Sequence, residues 1–324
     1  MATTNSTIEK IAPMFTDLLI KKIECLKTDW QKPWIASLEQ GLPRNIRGTL
    51  YNGGNVLMLL FYTEFMKFTL PVFLTFNQAK EEDLSVSKGA RSFPVYYWFK
   101  FVVHKETKKT IKYEEYRKLP ATEQENYKVI PQMKYYNVFN IDQTDFAGKY
   151  PERYERMKKG EQPEDYSDRM IYEALDELVY LQNWYCPIKV QYSDSAYYSP
   201  SSDHIVCPQR EQFPQGAEFY GTLLHEMAHS TGSPQRLNRT FGCFFGDALY
   251  AREELVAELT AALCGAFFGY AAVPQENNAA YLKHWLTKLR EEPAFLVEIL
   301  GDVNKAAKMI ADKVTEPINE PAAA

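Results

Sequence analysis

Cysteine is sparse and unpaired in this sequence. The five residues, Cys25, Cys186, Cys207, Cys243 and Cys264, stand singly with no C-x-x-C spacing. Neither a disulfide framework nor a thiolate zinc finger is therefore indicated, and the five read as reduced thiols in packing positions. No apolar run approaches the roughly 18 residues that a membrane span needs, so no membrane partner is expected. The opening MATTNSTIEKIAPM has no basic segment followed by an apolar stretch, and without an export signal the expected location is the cytoplasm. Internal repeats and low-complexity tracts are also missing. What is present, 45% hydrophobic and 24% charged residues in a chain of 324, describes a soluble globular protein long enough for two cores.

The net charge of −5 hides an asymmetry. Residues 1–150 carry 21 Lys+Arg against 16 Asp+Glu, and residues 151–324 carry 16 against 26. A basic excess in the first half is compatible with a polyanion partner, although an excess this small equally describes a solvated surface.

Residues 8–26 place Ile8, Ile11, Phe15, Leu18, Leu19, Ile23 and Leu26 at three- and four-residue spacings, the stripe of an amphipathic helix that ends near Trp30. After a Gly/Asn turn, Asn55 is placed to open an apolar helix. From residue 72 onward VFLTF, PVYYWFKFVV and YYNVFNI read as strands, with the polar stretch 104–130 as a long hairpin arm or loop. Residues 146–167 are polar and lack an apolar period, which suits a linker or connecting arm. The expected class is α+β, with a mixed domain at 1–150 and a second at 151–324. The second half reads as a helix at 168–183, strands at PIKVQY and HIVCP, and helices near 216–232, 251–268 and 277–310, the last broken at Pro293.

The segment GTLLHEMAHSTG contains H-E-x-x-H. His225 and His229, four apart, share one helical face and reach a single cation. Glu226 beside them is positioned as the catalytic base, taking a proton from water whose acidity the metal has raised. Leu223, Leu224, Met227 and Ala228 bury this helix, where two unpaired imidazoles and a carboxylate would be costly. A catalytic Zn2+ requires a third protein ligand. Gly232 matches the pattern that supplies a third His six residues after the second, but position 235 is Gln235, which closes that route. The helix YAREELVAELTAALCGAFF offers Glu254 and Glu258 on one face beside an apolar stripe. Glu254 is assigned as the third ligand and Glu258 as a carboxylate behind a ligating His, as in gluzincins; an ordinary solvated pair is the alternative. Glu253 points about 100° away and reads as solvated or salt-bridged. Upstream, AYYSPSSDHIVCP stands where zincins carry the edge strand that holds an extended peptide. Tyr197, Tyr198 and Asp203 either contribute to that cleft or simply pack, and His204 is a lone histidine with no metal role assigned.

Taken together, these motifs resemble the ArdC-type antirestriction proteins of plasmids and other mobile elements. The first half carries W-x-x-P-W at Trp30 to Trp34, Y-x-G-x-N at Tyr51 to Asn55, T-F-N-Q-A at 75–79, K-G-A-R-S-F-P-V at 88–95 and V-F-N-I-D-Q-T at 138–144. The second carries S-D-H-I-V-C-P, L-L-H-E-M-A-H-S-T-G and Y-A-R-E-E-L-V-A-E-L. The insert at 104–130 and the tail after about 312 have no counterpart in it. The resemblance implies an N-terminal domain that binds single-stranded DNA without strong sequence preference. It also implies a zincin-like metallopeptidase domain whose peptide substrate is unspecified, and protection of incoming DNA against restriction. Cations beside aromatic rings suit strand binding: Lys88, Arg91, Arg44, Arg47 and Lys100 lie near Tyr96, Tyr97, Trp98 and Phe99. Lys88 and Arg91 are the expected phosphate contacts and Trp98 a stacking platform, with about half of these rings expected to face inward. Two other readings remain open at this level: an active cytoplasmic protease of DNA-associated proteins, and a nonenzymatic DNA-binding protein with structural zinc.

Overall fold

The stripe of the first helix is the anchor of the whole molecule. α1 (Thr4–Thr28) buries Ile11, Phe15, Leu18, Leu19, Ile23 and Leu26, as its spacing predicts. The structure, a computed structural model, describes residues 4–28, 33–35, 40–159, 166–242, 248–271 and 282–315; Trp30, Cys243, the tail after 315 and the start of the helix expected at 277–310 fall outside these. β1 (Arg44–Asn45) precedes α2 (Gly54–Met66), which is buried from Gly54 through Tyr62 and so runs through the interior. Asn55 does not open α2. Its side chain pairs with the backbone of Tyr96, donating to the carbonyl at 2.7 Å and accepting from the N–H at 3.1 Å, and thereby ties the helix to a strand.

β2 (Val72–Leu74) leads into α3 (Phe76–Glu81), opened by a reciprocal Thr75–Gln78 capping box. β3 (Phe93–His104) and β5 (Tyr127–Asn140) pair antiparallel from Phe93↔Val138 to His104↔Tyr127. Between them lie β4 (Thr110–Ile111), α4 (Tyr113–Tyr116) and α5 (Ala121–Gln124), so residues 104–130 form the far end of a hairpin arm. β5 begins eight residues earlier than YYNVFNI suggests, because residues 127–134 are mostly half or fully exposed and are held by pairing rather than by an apolar run. The five-stranded sheet has the order β1-β2-β5-β3-β4.

The polar stretch after residue 146 is a correction to the sequence reading. Over its described part it is not a linker but forms α6 (Phe146–Lys149) and α7 (Pro151–Lys158), while residues 160–165 of that stretch lie outside the described residues. Phe146 is fully buried with Ile46, Leu70, Val72, Leu74, Ala79, Leu84 and Ile141, and Tyr150, Tyr154 and Met157 pack against them. Tyrosines hide the apolar contact, because their rings are buried while their hydroxyls stay polar; Tyr154 donates to Asp142 at 2.7 Å.

The second half consists of α8 (Glu173–Tyr180), β6 (Ile188–Gln191), β7 (Tyr197–Ser199), β8 (His204–Pro208), α9 (Gly216–Thr231), α10 (Ala248–Phe268), α11 (Leu282–Glu291) and α12 (Ala294–Thr315). The break at Pro293 separates α11 from α12, as read. In the order β6-β8-β7, β8 is central, with parallel β6 at one edge and antiparallel β7 at the other. The two halves share one core: Ile11, Phe15 and Leu19 of α1 belong to the same apolar cluster as Leu255, Leu259, Leu300 and Ile310. Across it, Thr16 Oγ1 donates to the Pro293 carbonyl at 3.0 Å, and Asn304 Oδ1 accepts the Gly54 N–H. Gly53, at φ 56°, is required at that joint, because a Cβ there would lie 2.4 Å from Asn304 Oδ1. None of the described helices is long and apolar enough to cross a membrane.

Candidate metal centre

The helical spacing of α9 does what the motif predicts. His225 and His229 both aim Nε2 at one point, 3.1 Å apart. α10 crosses α9 and brings Glu254 to the same place, with Oε2 3.5 Å from His225 Nε2 and Oε1 3.5 Å from His229 Nε2. Among the described residues these form one group of metal-ligating type whose donor atoms all lie within 4.8 Å of one another. Bonds of about 2.1 Å in a tetrahedron put ligand atoms about 3.4 Å apart, so the spacings fit one small divalent cation. Glu226 is buried beside them; burial raises its pKa, with His225 and His229 opposing. Burial also works against ionisation of Glu254, yet His229 and His225 hold its carboxyl below the usual carboxylate range.

Each of the two imidazoles has a carboxylate behind it. Glu258 Oε1 lies 3.7 Å from His225 Nδ1, a buried nitrogen with no hydrogen bond in this structure. Behind His229 stands Glu253, whose Oε1 is 3.2 Å from Nδ1. Glu253 is salt-bridged, as the sequence suggested, but it is 3% exposed rather than solvated. Arg239 holds it with Nε at 2.8 Å and Nη2 at 2.6 Å, while also donating to Thr231 Oγ1 and the Ala228 carbonyl, each at 2.8 Å. Gly232 makes room for this guanidinium, since a Cβ there would be 2.9 Å from Nη2. Glu253, Arg239 and Trp34, whose Nε1 donates to Glu258 Oε2 at 2.7 Å, are the residues that sequence reasoning missed. The doubled Glu of Y-A-R-E-E-L was the one local signal.

Tyr198 is largely buried, and its hydroxyl donates to Asp203 at 2.7 Å. Asp203 also pairs with Arg236, so these two residues brace the sheet, whereas Tyr197 is exposed on β7. His204 approaches Ser202 Oγ at 2.9 Å and is not in the metal group.

In the first half, Lys88 and Arg91 are exposed in the turn before β3. Arg47 is exposed and pairs with Glu81 at 2.5 Å. Arg44 is half-buried, its guanidinium donating to the Gln40 carbonyl at 3.0 Å. Of the rings, Tyr96 faces the core, while Tyr97 and Trp98 are 45% and 50% exposed on opposite faces of the arm. Tyr97 lies beside Phe99 and Tyr136, with centroids 6.0 and 6.1 Å away. Lys134 Nζ sits 4.6 Å over Phe99, and Lys100 donates to the Tyr113 hydroxyl at 2.7 Å. Tyr136 and Lys134, which extend the exposed ring surface, had escaped the sequence reading.

Comparison with known proteins agrees with this organisation. Residues 9–139 match the N-terminal domain of anti-restriction factor ArdC, and residues 173–299 match a zincin-like metallopeptidase domain. The chain is 28% identical over 326 residues to a DNA primase TraC of Escherichia coli, covering 94% of this chain but only 28% of that protein. Among solved structures, the metal-free antirestriction ArdC protein from the R388 plasmid superposes with a TM-score of 0.67 at 27% identity, over 95% of this chain and 99% of that one. Its Mn(II)-bound form gives 0.65 at 28%, over 94% and 98%. With an ArdC N-terminal domain followed by a zincin-like metallopeptidase domain, and the fold of an ArdC structure shared nearly end to end, the chain has the domain organisation of the ArdC-type antirestriction proteins.

Proposed function

We propose that this chain protects mobile DNA from restriction by binding single strands with its N-terminal half, and that its C-terminal half holds one zinc ion on His225, His229 and Glu254. The observation that carries the metal assignment is the convergence of three donors on one point, His225 and Glu254 buried and His229 half-buried, with Glu226 buried alongside. A cation bound there supplies Lewis acidity toward a peptide carbonyl and an attacking water. Glu226 takes the proton from that water and passes it to the leaving amine. Glu253 and Glu258 keep the two imidazoles in ligating orientation. β7, at the sheet edge, is the element to which an extended peptide would add. The Mn(II) bound in the related ArdC structure supports a divalent cation as the occupant.

For the strand, Tyr97, Phe99 and Tyr136 offer stacking surface and Lys134, Lys88 and Arg91 the phosphate contacts. A second reading, a protease acting on DNA-associated proteins, is favoured by the intact Glu226. The deciding experiment measures survival of unmodified DNA entering a restricting cell. Full protection by Glu226→Gln, with failure of the Lys88/Arg91 double variant, assigns antirestriction to strand coating, the outcome expected here. Loss of protection by Glu226→Gln, with zinc and DNA binding intact, makes proteolysis part of the function.

A further inference from the structure

The W-x-x-P-W motif belongs to the half that the family match assigns away from the metal, yet its last residue reaches the metal site. Trp34 is 1% exposed. Its indole sits in the shared core beside Phe61 of α2, with ring centroids 6.3 Å apart, and its Nε1 donates at 2.7 Å to Glu258 Oε2. The other oxygen of that carboxylate is the one facing His225 Nδ1 at 3.7 Å. The two ligating histidines are thus braced differently. His229 is backed by Glu253 and Arg239, both from the C-terminal half, whereas the carboxylate behind His225 is gripped by an indole that precedes it by 224 residues.

Resting on the metal-site reading above, we propose that Trp34 is a positioning residue of the metal centre, fixing the Glu258 carboxylate so that Oε1 meets His225 Nδ1 when His225 ligates through Nε2. A carboxylate has two oxygens on a rotatable stem, and a donor on one oxygen sets where the other points. A metal-ligating imidazole is oriented by what its second nitrogen donates to, and loss of such a partner typically costs about 10–100-fold in metal affinity. The metal site therefore includes the N-terminal half, and residues 173–299 alone do not contain all of it.

The test is zinc affinity of the full chain by chelator competition, together with the visible spectrum of the Co(II)-loaded protein, which reports ligand geometry without any turnover. Trp34→Phe, which removes the N–H, is expected to weaken zinc binding about tenfold and to alter the Co(II) bands. Glu258→Gln should do the same, and the double variant should lose no more than Glu258→Gln alone, because Trp34 acts through Glu258. Phe61→Leu, which disturbs the packing of the indole but not its hydrogen bond, should lower Tm and leave zinc affinity unchanged. If Trp34→Phe does not fold, the benzothiophene analogue of tryptophan at position 34 keeps the ring volume and removes the same N–H. Wild-type affinity in either Trp34 replacement, or additive losses in the double variant, would overturn the proposal. A wild-type chain that binds no zinc would instead overturn the metal-site reading on which it rests.

Discussion

Arg239 and Glu253 form an ion pair with side chains only 3% and 4% exposed, and the pair sits directly behind His229. Replacing Arg239 by Met leaves Glu253 charged, buried and without its guanidinium, and removes donors to the Ala228 carbonyl and Thr231. Breaking a buried pair from one side costs about 3–5 kcal/mol. At about 2.1 cal/mol/K of unfolding entropy per residue, 324 residues give about 0.7 kcal/mol/K, so the expected fall in Tm is about 4–7 °C. The double variant Arg239→Met/Glu253→Leu removes both charges. It should recover most of that loss, since apolar replacement of a whole buried pair is often neutral or better. It should nonetheless bind zinc about 10–100-fold more weakly, because His229 Nδ1 has lost its carboxylate. Calorimetry of the metal-free proteins and chelator competition measure the two effects separately. A Tm for Arg239→Met within about 1 °C of wild type, or a double variant as unstable as the single, would refute the reasoning.

Tyr97→Ala and Tyr136→Ala should each weaken binding to a short single strand by about 1–3 kcal/mol, roughly 5- to 150-fold, with little effect on zinc; unchanged affinity in a fluorescence-anisotropy titration of both would remove the arm from the DNA surface. Hydrogen bonding from Arg236, aided by Tyr198, outweighs burial and holds the Asp203 carboxyl below its ordinary value. Its contribution to stability is therefore present above about pH 4 and is lost as pH falls through the depressed pKa. The stability gap between wild type and Asp203→Asn should accordingly shrink from pH 6 to pH 3, and a gap constant over that range in denaturant unfolding would show that the pair contributes nothing through ionisation.

The parts of this molecule that were legible in the sequence are those governed by local period. The stripe of α1 and the face shared by His225 and His229 follow from 3.6 residues per turn, and Glu254 is singled out by its place beside Leu255 and Leu259, although α10 is buried on nearly every side rather than along one stripe. What escaped depends on partners far along the chain. A helical wheel turns Glu253 away from Glu254, and only the loop that returns Arg239 past Gly232 makes that direction an interior one. Trp34 and Glu258 meet across the shared core with no local trace of the contact. The division near residue 150 was drawn through polar residues, but Phe146 and the tyrosine rings after it pack inward. Several motifs that carried the family resemblance turn out to be joints. Asn55 ties α2 to β3, Thr75 and Gln78 cap α3, and Asn140 donates to the Leu70 carbonyl at 2.7 Å while its backbone N–H bonds to Gln143.

The central claim is that His225, His229 and Glu254 hold one divalent cation with Glu226 standing apart as base. The direct test is zinc titration of the metal-depleted full chain. The expected result is one equivalent bound by wild type and by Glu226→Gln, with that equivalent lost in His225→Ala and in His229→Ala and weakened in Glu254→Ala. Full one-equivalent binding in both histidine variants would contradict the claim.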